Sequence, residues 1–303
     1  MNNPLVSILV ANYNNGFFFK DCYASILSQT YTNWEVVIVD DCSTDDSVIT
    51  VKNQIESNSR FRVFQNAENR GCGFTKRKCV ELAKGEMCGF LDPDDTLEPQ
   101  AIQIMVEAHM KNKNCSIITS KYFLVDLELN KIDIGKHGES IPLGFSYLTY
   151  GKGALTAFAT FKRIAYLKTD GINSFFKRAV DQDLYYKLEE VGEHFFIDDF
   201  LYNYRIHSNS ISANENLYKA RYWHHVAMKD AFLRRQKKGL KIQNLKKKDF
   251  KKLSADYFMS RFSNENVSNS KCKKIYFILK SIQVYPTYKL KSKIKKILLL
   301  IFK

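Results

Sequence analysis

The 303-residue sequence contains no run of about 18 apolar residues, the length a helix needs to cross a bilayer. It also lacks the pattern of a secretory leader, since Met1-Asn2-Asn3-Pro4 passes directly into a strand-like run. Both absences predict a cytoplasmic protein. Paired cysteine spacing is missing as well. The seven cysteines, at 22, 42, 72, 79, 88, 115 and 272, are odd in number and sit mostly inside apolar segments, which argues for reduced, buried thiols and against a zinc site. Acidic residues are scarce in one region. From Tyr218 onward 24 Lys plus Arg face 4 Asp plus Glu, whereas the rest of the chain carries 22 against 28, so the net charge of +14 belongs to the tail.

What is present is an alternation. Leu5 to Val10 is a continuous apolar run that ends at Ala11-Asn12-Tyr13-Asn14-Asn15-Gly16, ahead of a helix reaching about Gln29. Trp34 to Val39 is a second buried strand, ending at Asp40-Asp41-Cys42-Ser43-Thr44-Asp45. A helix after Asp46, a strand at Phe61 to Gln65, a basic helix from Phe74 to Ala83 and a strand from Met87 to Leu91 complete β-α-β-α-β-α-β. That order predicts an α/β fold with a parallel sheet and its binding edge at the carboxyl ends of the strands.

Three polar ends gather there. Gly89-Phe90-Leu91-Asp92-Pro93-Asp94-Asp95 sets three carboxylates at the end of an apolar run. Crowded carboxylates repel one another and are tolerated where a hard divalent cation neutralises them, as Mg²⁺ or Mn²⁺ is held against a diphosphate. Turn formation or capping of the next helix is the ordinary alternative for Asp-Pro-Asp. Asp40 ends its strand where it could accept a hydrogen bond from a base, whereas Ser43, Thr44 and Asp45 suit a helix cap. The Gly71 turn opens a helix whose first turns carry Lys76, Arg77 and Lys78; it reads either as an anion site or as a solvated basic face.

Taken in order and spacing, Val6-Ser7-Ile8-Leu9-Val10 with Tyr13-Asn14, Val39-Asp40-Asp41-Cys42-Ser43-Thr44-Asp45, and Gly85-Glu86 with Phe90-Leu91-Asp92-Pro93-Asp94-Asp95 resemble the nucleotide-binding half of family 2 glycosyltransferases. The resemblance covers roughly the first two-thirds of the chain. It implies a GT-A (Rossmann-like) fold, a mostly parallel sheet with flanking helices, a nucleoside-diphosphate sugar donor, with UDP favoured, and a Mn²⁺ or Mg²⁺ ion. Carried over by residue, Ala11, Asn12, Tyr13 and Asp40 would contact the base, Asp92 with Pro93 the ribose side of the donor, and Asp94 the metal. Gly71 with Lys76 or Arg77 would face the phosphates, and Asp95 would assist. The family usually has Pro at the position of Ala11, Gly at that of Cys42 and Ala-Arg-Asn at that of Thr75-Lys76-Arg77.

Farther on, Cys115 to Ser120 reads as a strand, Leu124 to Ile134 as a hairpin, Leu143 to Gly153 as a glycine-rich mobile loop over the donor or acceptor and Thr156 to Arg163 as a strand. Val180-Asp181-Gln182-Asp183-Leu184 resembles the family's Glu-Asp-x-Asp-Leu, which makes Asp181 the catalytic base and Asp183 the second acid, with Val180 in place of Glu. A single base opposite the departing diphosphate implies inversion. His207, before a loop reaching Ser212, resembles a further metal ligand, alongside Asp92 and Asp94.

The organisation expected is a catalytic domain over 1–214, with a donor half (1–120) and an acceptor half (121–214), followed by a basic helical region over 215–303. The Lys-rich tail, interleaved with aromatic and aliphatic residues, suits an anionic membrane surface, so the chain is expected to be peripheral on the inner face of a membrane. No nucleic-acid recognition module accompanies the charge. The expected partners are a nucleotide sugar and a glycan or lipid-linked glycan acceptor, with a homo-oligomer left open. A nucleotidyltransferase or a non-catalytic binding module on the same fold remains the alternative.

Overall fold

Val6–Asn12 (β1) and Trp34–Asp40 (β2) are buried almost throughout, as befits strands covered on both faces of a parallel sheet. In the computed structural model, which describes residues 3–56, 58–151, 153–156, 158–207, 217–244, 247–263 and 270–301, they pair in parallel with Asn12 opposite Asp40. Between them run a single 3-10 turn, Gly16–Phe18, and helix Phe19–Leu27 (α1). Helix Ser47–Ile55 (α2), strand Phe61–Gln65 (β3), helix Cys72–Leu82 (α3) and strand Met87–Phe90 (β4) follow.

Thr96–Leu97 (β5) and helix Ala101–Lys111 (α4) come next. Thr96 and Leu97 are drawn into the sheet against β9, and the helix begins only past Pro99. Strands Cys115–Val125 (β6) and Lys131–Ile134 (β7) form the expected hairpin, whose turn is held by Asp126 Oδ1 accepting from the Glu128 and Asn130 amides. Tyr147–Tyr150 (α5), Thr160–Lys162 (β8), Arg163–Tyr166 (α6), Val180–Glu189 (α7) and Glu193–Arg205 (β9) complete this part.

The strand order is β3-β2-β1-β4-β8-β6-β9-β5, with β7 on β6. The sheet is parallel from β3 to β4 and again between β6 and β9; β8 joins antiparallel to β4 and β6, and β5 joins antiparallel to β9. The parallel character predicted thus holds for the first half, and the second is mixed. Helical spacing explains the packing: Phe19, Cys22 and Ile26 of α1, Val51 and Ile55 of α2, and Ile102, Met105 and Val106 of α4 join Val6, Ile8, Val10, Val36 and Ile38 in one core.

The chain divides into two compact units, Met1–Leu143 with Tyr150–Ser208, and Gly144–Thr149 with Asn209–Lys303. The glycine-rich stretch is not simply a surface loop, because Tyr147 and Leu148 within it are buried. In the second unit lie Leu217–Lys237 (α8), Lys247–Ser263 (α9), Lys271–Val284 (α10) and Leu290–Ile301 (α11). Ala227, Ala231, Ala255, Met259, Phe277 and Ile278 are buried there, and Ser281 Oγ of α10 donates to the Ala255 carbonyl of α9 at 3.2 Å. No described helix is long and apolar enough to cross a membrane. The loop expected through Ser212 and the boundary at residue 214 lie outside the described residues.

Candidate active site

The register of β1 on β2 builds one corner of the site. Asn12 Nδ2 donates to Asp40 Oδ1 at 2.7 Å, and the Asp40 carboxylate also accepts from the Ser43 amide (2.8 Å), the Ser43 hydroxyl (2.5 Å) and Gln65 Nε2 (3.4 Å). Asp40 is therefore buried and well satisfied, while the Oδ1 of buried Asn12 has no partner. Ala11 is half-buried beside them, and Tyr13 stands exposed at the same strand end.

Asp41, one residue on, is engaged by the segment after β3. Its carboxylate accepts from the amides of Arg70 (2.9 Å) and Gly71 (2.7 Å) and from Asn66 Nδ2 (2.8 Å). Gly71 has φ +86°, a backbone conformation that glycine adopts readily, and α3 starts immediately after it. The helix then leans on the segment before α7: the Gly73 amide donates to the Phe176 carbonyl at 3.0 Å. A Cβ at Gly73 would lie 2.5 Å from the carbonyl oxygens of Asn173 and Phe176. Asp41 and Gly73 thus fix α3, and α3 carries Lys76.

Lys76 joins the two halves of the sequence. Its buried Nζ donates to Asp181 Oδ1 at 2.9 Å and lies 3.3 Å from Asp92 Oδ1. Burial alone would lower its pKa, but Asp181, then Asp92, more than reverse this and hold the ammonium well above the ordinary lysine value. Both carboxylates keep a face toward solvent, with side chains 43% and 47% exposed for Asp181 and Asp92. Asp181 comes in the first turn of α7, after Ala179 in the left-handed region at φ +54°. Arg77 is not brought to these acids; it pairs with Glu81 at 2.9 Å and donates to the Ile172 carbonyl. Asp183 is also withdrawn, being buried against Lys187, whose ammonium donates to it and to the Gly171 carbonyl.

The acids after β4 have three different fates. Asp95 is buried, accepting from the Tyr202 hydroxyl at 2.6 Å and the Arg205 amide at 2.8 Å. Burial, then repulsion from Asp94 and Asp92, push its pKa well above the carboxylate range. Asp95 ties β5 to β9 rather than facing a ligand. Asp92 is also raised, first by loss of hydration among its protein neighbours and then by Asp181 and Asp94, against the pull of Lys76. Asp94 meets His207, two residues past β9, whose Nε2 lies 2.8 Å from Asp94 Oδ2 while its ring packs on Phe18 at 4.9 Å between centroids. Pro93 between Asp92 and Asp94 is buried.

Of the three residues expected to hold a cation, Asp94 and His207 meet each other, while Asp92 turns its Oδ1 toward Lys76. Among the described residues no three His, Cys, Asp or Glu side chains form a group able to hold a metal unaided. The donor set suits Mg²⁺ or Mn²⁺, which commonly take one or two carboxylates and fill the remaining positions with substrate phosphate and water. Burial, and after it repulsion from neighbouring acids that include Asp94, raise both Asp92 and Asp95, and a cation beside Asp94 would relieve that repulsion. The residues fit such an ion.

Sequence reasoning missed Asp41, Gly73, Tyr202 and Arg205. Asp41 follows Asp40 directly and Gly73 comes two residues after Gly71, and the Gly-x-Gly at 71–73 is a signal of close backbone approach. Tyr202 and Arg205 act on an acid more than 100 positions away, which no local pattern reveals. The thiols are as expected where buried, and burial pushes Cys72, beside Lys76, up to about 12.

The mixed sheet with its flanking helices has the fold of GT-A glycosyltransferases. S. aureus TarS, residues 1–349 in complex with UDP-GlcNAc, has the same fold, matching 92% of this chain and 81% of its own at 18% identity with a TM-score of 0.62. The mannosyltransferase PcManGT from Pyrobaculum calidifontis, in complex with GDP-Man and Mn²⁺, matches 100% of this chain and 87% of its own at 12% identity and a TM-score of 0.57. The chain belongs to glycosyl transferase family 2, whose profile matches residues 7–169. A chondroitin synthase of Escherichia coli is 33% identical over 215 residues, which are 69% of this chain but 30% of that protein.

Proposed function

We propose that the chain transfers a hexose or N-acetylhexosamine from a UDP-sugar to a hydroxyl of a glycan acceptor, with inversion at the anomeric carbon, in the synthesis of a surface polysaccharide or lipid-linked glycan. The observation that carries this reading is Lys76, one buried cation bridging Asp92 of the donor half and Asp181 of the acceptor half. The family supports glycosyl transfer, the chondroitin synthase relative supports polysaccharide synthesis, and the UDP-GlcNAc of TarS supports the donor.

In this reading Asp181, with one face open to solvent, accepts the proton of the attacking hydroxyl as that oxygen bonds to the anomeric carbon. Lys76 orients Asp181 and places a fixed positive charge beside the donor. The amino end of α3, shaped by Gly71, and the Asn12–Asp40 pair with Tyr13 make up the rest of the donor site. Asp94, Asp92 and His207 would hold Mn²⁺ or Mg²⁺, which would supply positive charge against the diphosphate; the PcManGT structure contains Mn²⁺ with GDP-Man. The acceptor is presented at the cytoplasmic face of a membrane, where the basic region keeps the protein peripheral.

Asp181→Asn tests the assignment. Turnover should fall at least about 10²-fold, with UDP-sugar affinity within a few-fold of wild type and the melting temperature little changed. Turnover unchanged in the folded variant removes Asp181 from the chemistry. Release of pyrophosphate in place of UDP identifies a nucleotidyltransferase.

A further inference from the structure

Helix α11 is amphipathic in the reverse of the usual sense. A helix on a protein surface turns apolar side chains inward and charged ones outward. Here Lys293 is the buried residue, its ammonium donating to the carbonyls of Ser281 and Tyr285 at the carboxyl end of α10, where partial negative charge collects. Lys296 also turns toward the protein, donating to Ser263 Oγ and lying over the Phe262 ring at 4.3 Å. Outward stand Leu290, Ile294, Leu298 and Ile301, at spacings of four, four and three, which is one stripe along the helix. All four are at least 46% exposed. Exposed Lys291 and Lys295 follow the first two members of the stripe by one position each. Helix α10 likewise leaves Ile275, Tyr276 and Leu279 exposed.

The charge around this stripe has one sign. Residues 271–303 hold ten lysines and no Asp or Glu. The carboxylate of Asp256 on α9 is already engaged by Lys289 and Tyr288. A second copy of the same face would set one array of lysines against another, and nucleic acid would leave the aliphatic stripe in water. A bilayer bearing anionic lipid satisfies both features, with the stripe at the boundary of headgroups and acyl chains and the lysines against lipid phosphates.

We infer that the outer face of α11, with Leu290, Ile294, Leu298 and Ile301 as its apolar stripe and Lys291 and Lys295 beside it, is the surface that docks the protein on an anionic membrane. The helix lies along the surface, since its 12 residues are too few to span the bilayer. This deepens the membrane-borne acceptor proposed above, yet its test requires no turnover.

The full chain is floated with vesicles of phosphatidylcholine containing about a third phosphatidylglycerol, and with phosphatidylcholine alone. Wild type should float with the anionic vesicles and partition at least about tenfold less onto the neutral ones. Ile294→Glu with Leu298→Glu should cut partitioning at least about tenfold, and Lys291→Gln with Lys295→Gln several-fold. Circular dichroism and unchanged glycosyl transfer to a soluble acceptor confirm that the variants fold. Undiminished flotation of the folded glutamate variant overturns the inference. So does a wild-type dimer in lipid-free solution that the same variant turns into monomer.

Discussion

Cys42 shows how a single residue records a departure from the family's preference. It follows Asp40-Asp41 with φ +60°, in the left-handed region where a side chain costs about 1–2 kcal/mol. Its sulfur gains one distant contact in return, 3.9 Å from the Ala67 carbonyl. Glycine would remove the steric cost and lose part of the gain to a more flexible unfolded chain. Cys42→Gly should therefore stabilise the fold by about 1 kcal/mol, read as a higher urea midpoint at unchanged slope. An unaltered midpoint would mean that the loop relaxes around the thiol at no cost. Sequence pointed to this position through turn preference, because φ is a local property. It could not separate Lys76 from Arg77: adjacent residues on a helix point about 100° apart, and which one faces the acids depends on how α3 is docked.

At the scale of elements, β1, β2 and β4 were legible because each is a largely apolar run closed by polar residues, and β3 because Phe61, Val63 and Phe64 are β-formers in a short segment between two helices. The pairings of β8, β9 and β5 were not, since they join segments far apart in sequence. Asp95 is a direct casualty: beside Asp92 and Asp94 it reads as part of the site, but its partners Tyr202 and Arg205 come from β9. The docking of α3 was equally hidden, although its agent, Gly73, was in view. A methyl group there would strike two backbone carbonyls that cannot swing aside as a side chain would, so the helix must withdraw from the segment before α7. Gly73→Ala is expected to cost about 1–3 kcal/mol of stability and, by moving Lys76 away from Asp181, to lower turnover about 10–100-fold. UDP affinity should change less than turnover, because the proposed base contacts Asn12 and Asp40 lie on strands that the substitution does not touch, with Tyr13 one residue past β1. Turnover and stability both near wild type would show that α3 does not set the position of Lys76.

The pH response of the whole molecule is a sum of opposed contributions, and His109 allows one of them to be isolated. Its ring lies between α4 and the sheet, with Nε2 3.0 Å from the Thr160 hydroxyl and a buried Nδ1 that has no partner. Burial, then Lys162, lower its pKa from 6.5 to about 4. Between those values the unfolded chain binds a proton that the folded chain refuses. Stability from this group is therefore complete above about pH 6.5, falls by about 1.4 kcal/mol per pH unit on acidification, and is exhausted near pH 4 after a loss of about 3 kcal/mol. Buried Asp95 acts in the opposite direction: its raised pKa makes the fold retain a proton that the unfolded chain releases, so acidification through that window stabilises. The net curve of the wild type mixes these effects, and the difference from His109→Gln separates them, since glutamine can still bond Thr160 but does not titrate. Urea unfolding at several values between pH 7 and pH 4.5 should show the wild type losing stability relative to the variant steadily below pH 6.5. Parallel curves would mean that His109 takes up its proton in the fold as readily as in water, through an opening between α4 and β8 that its burial argues against.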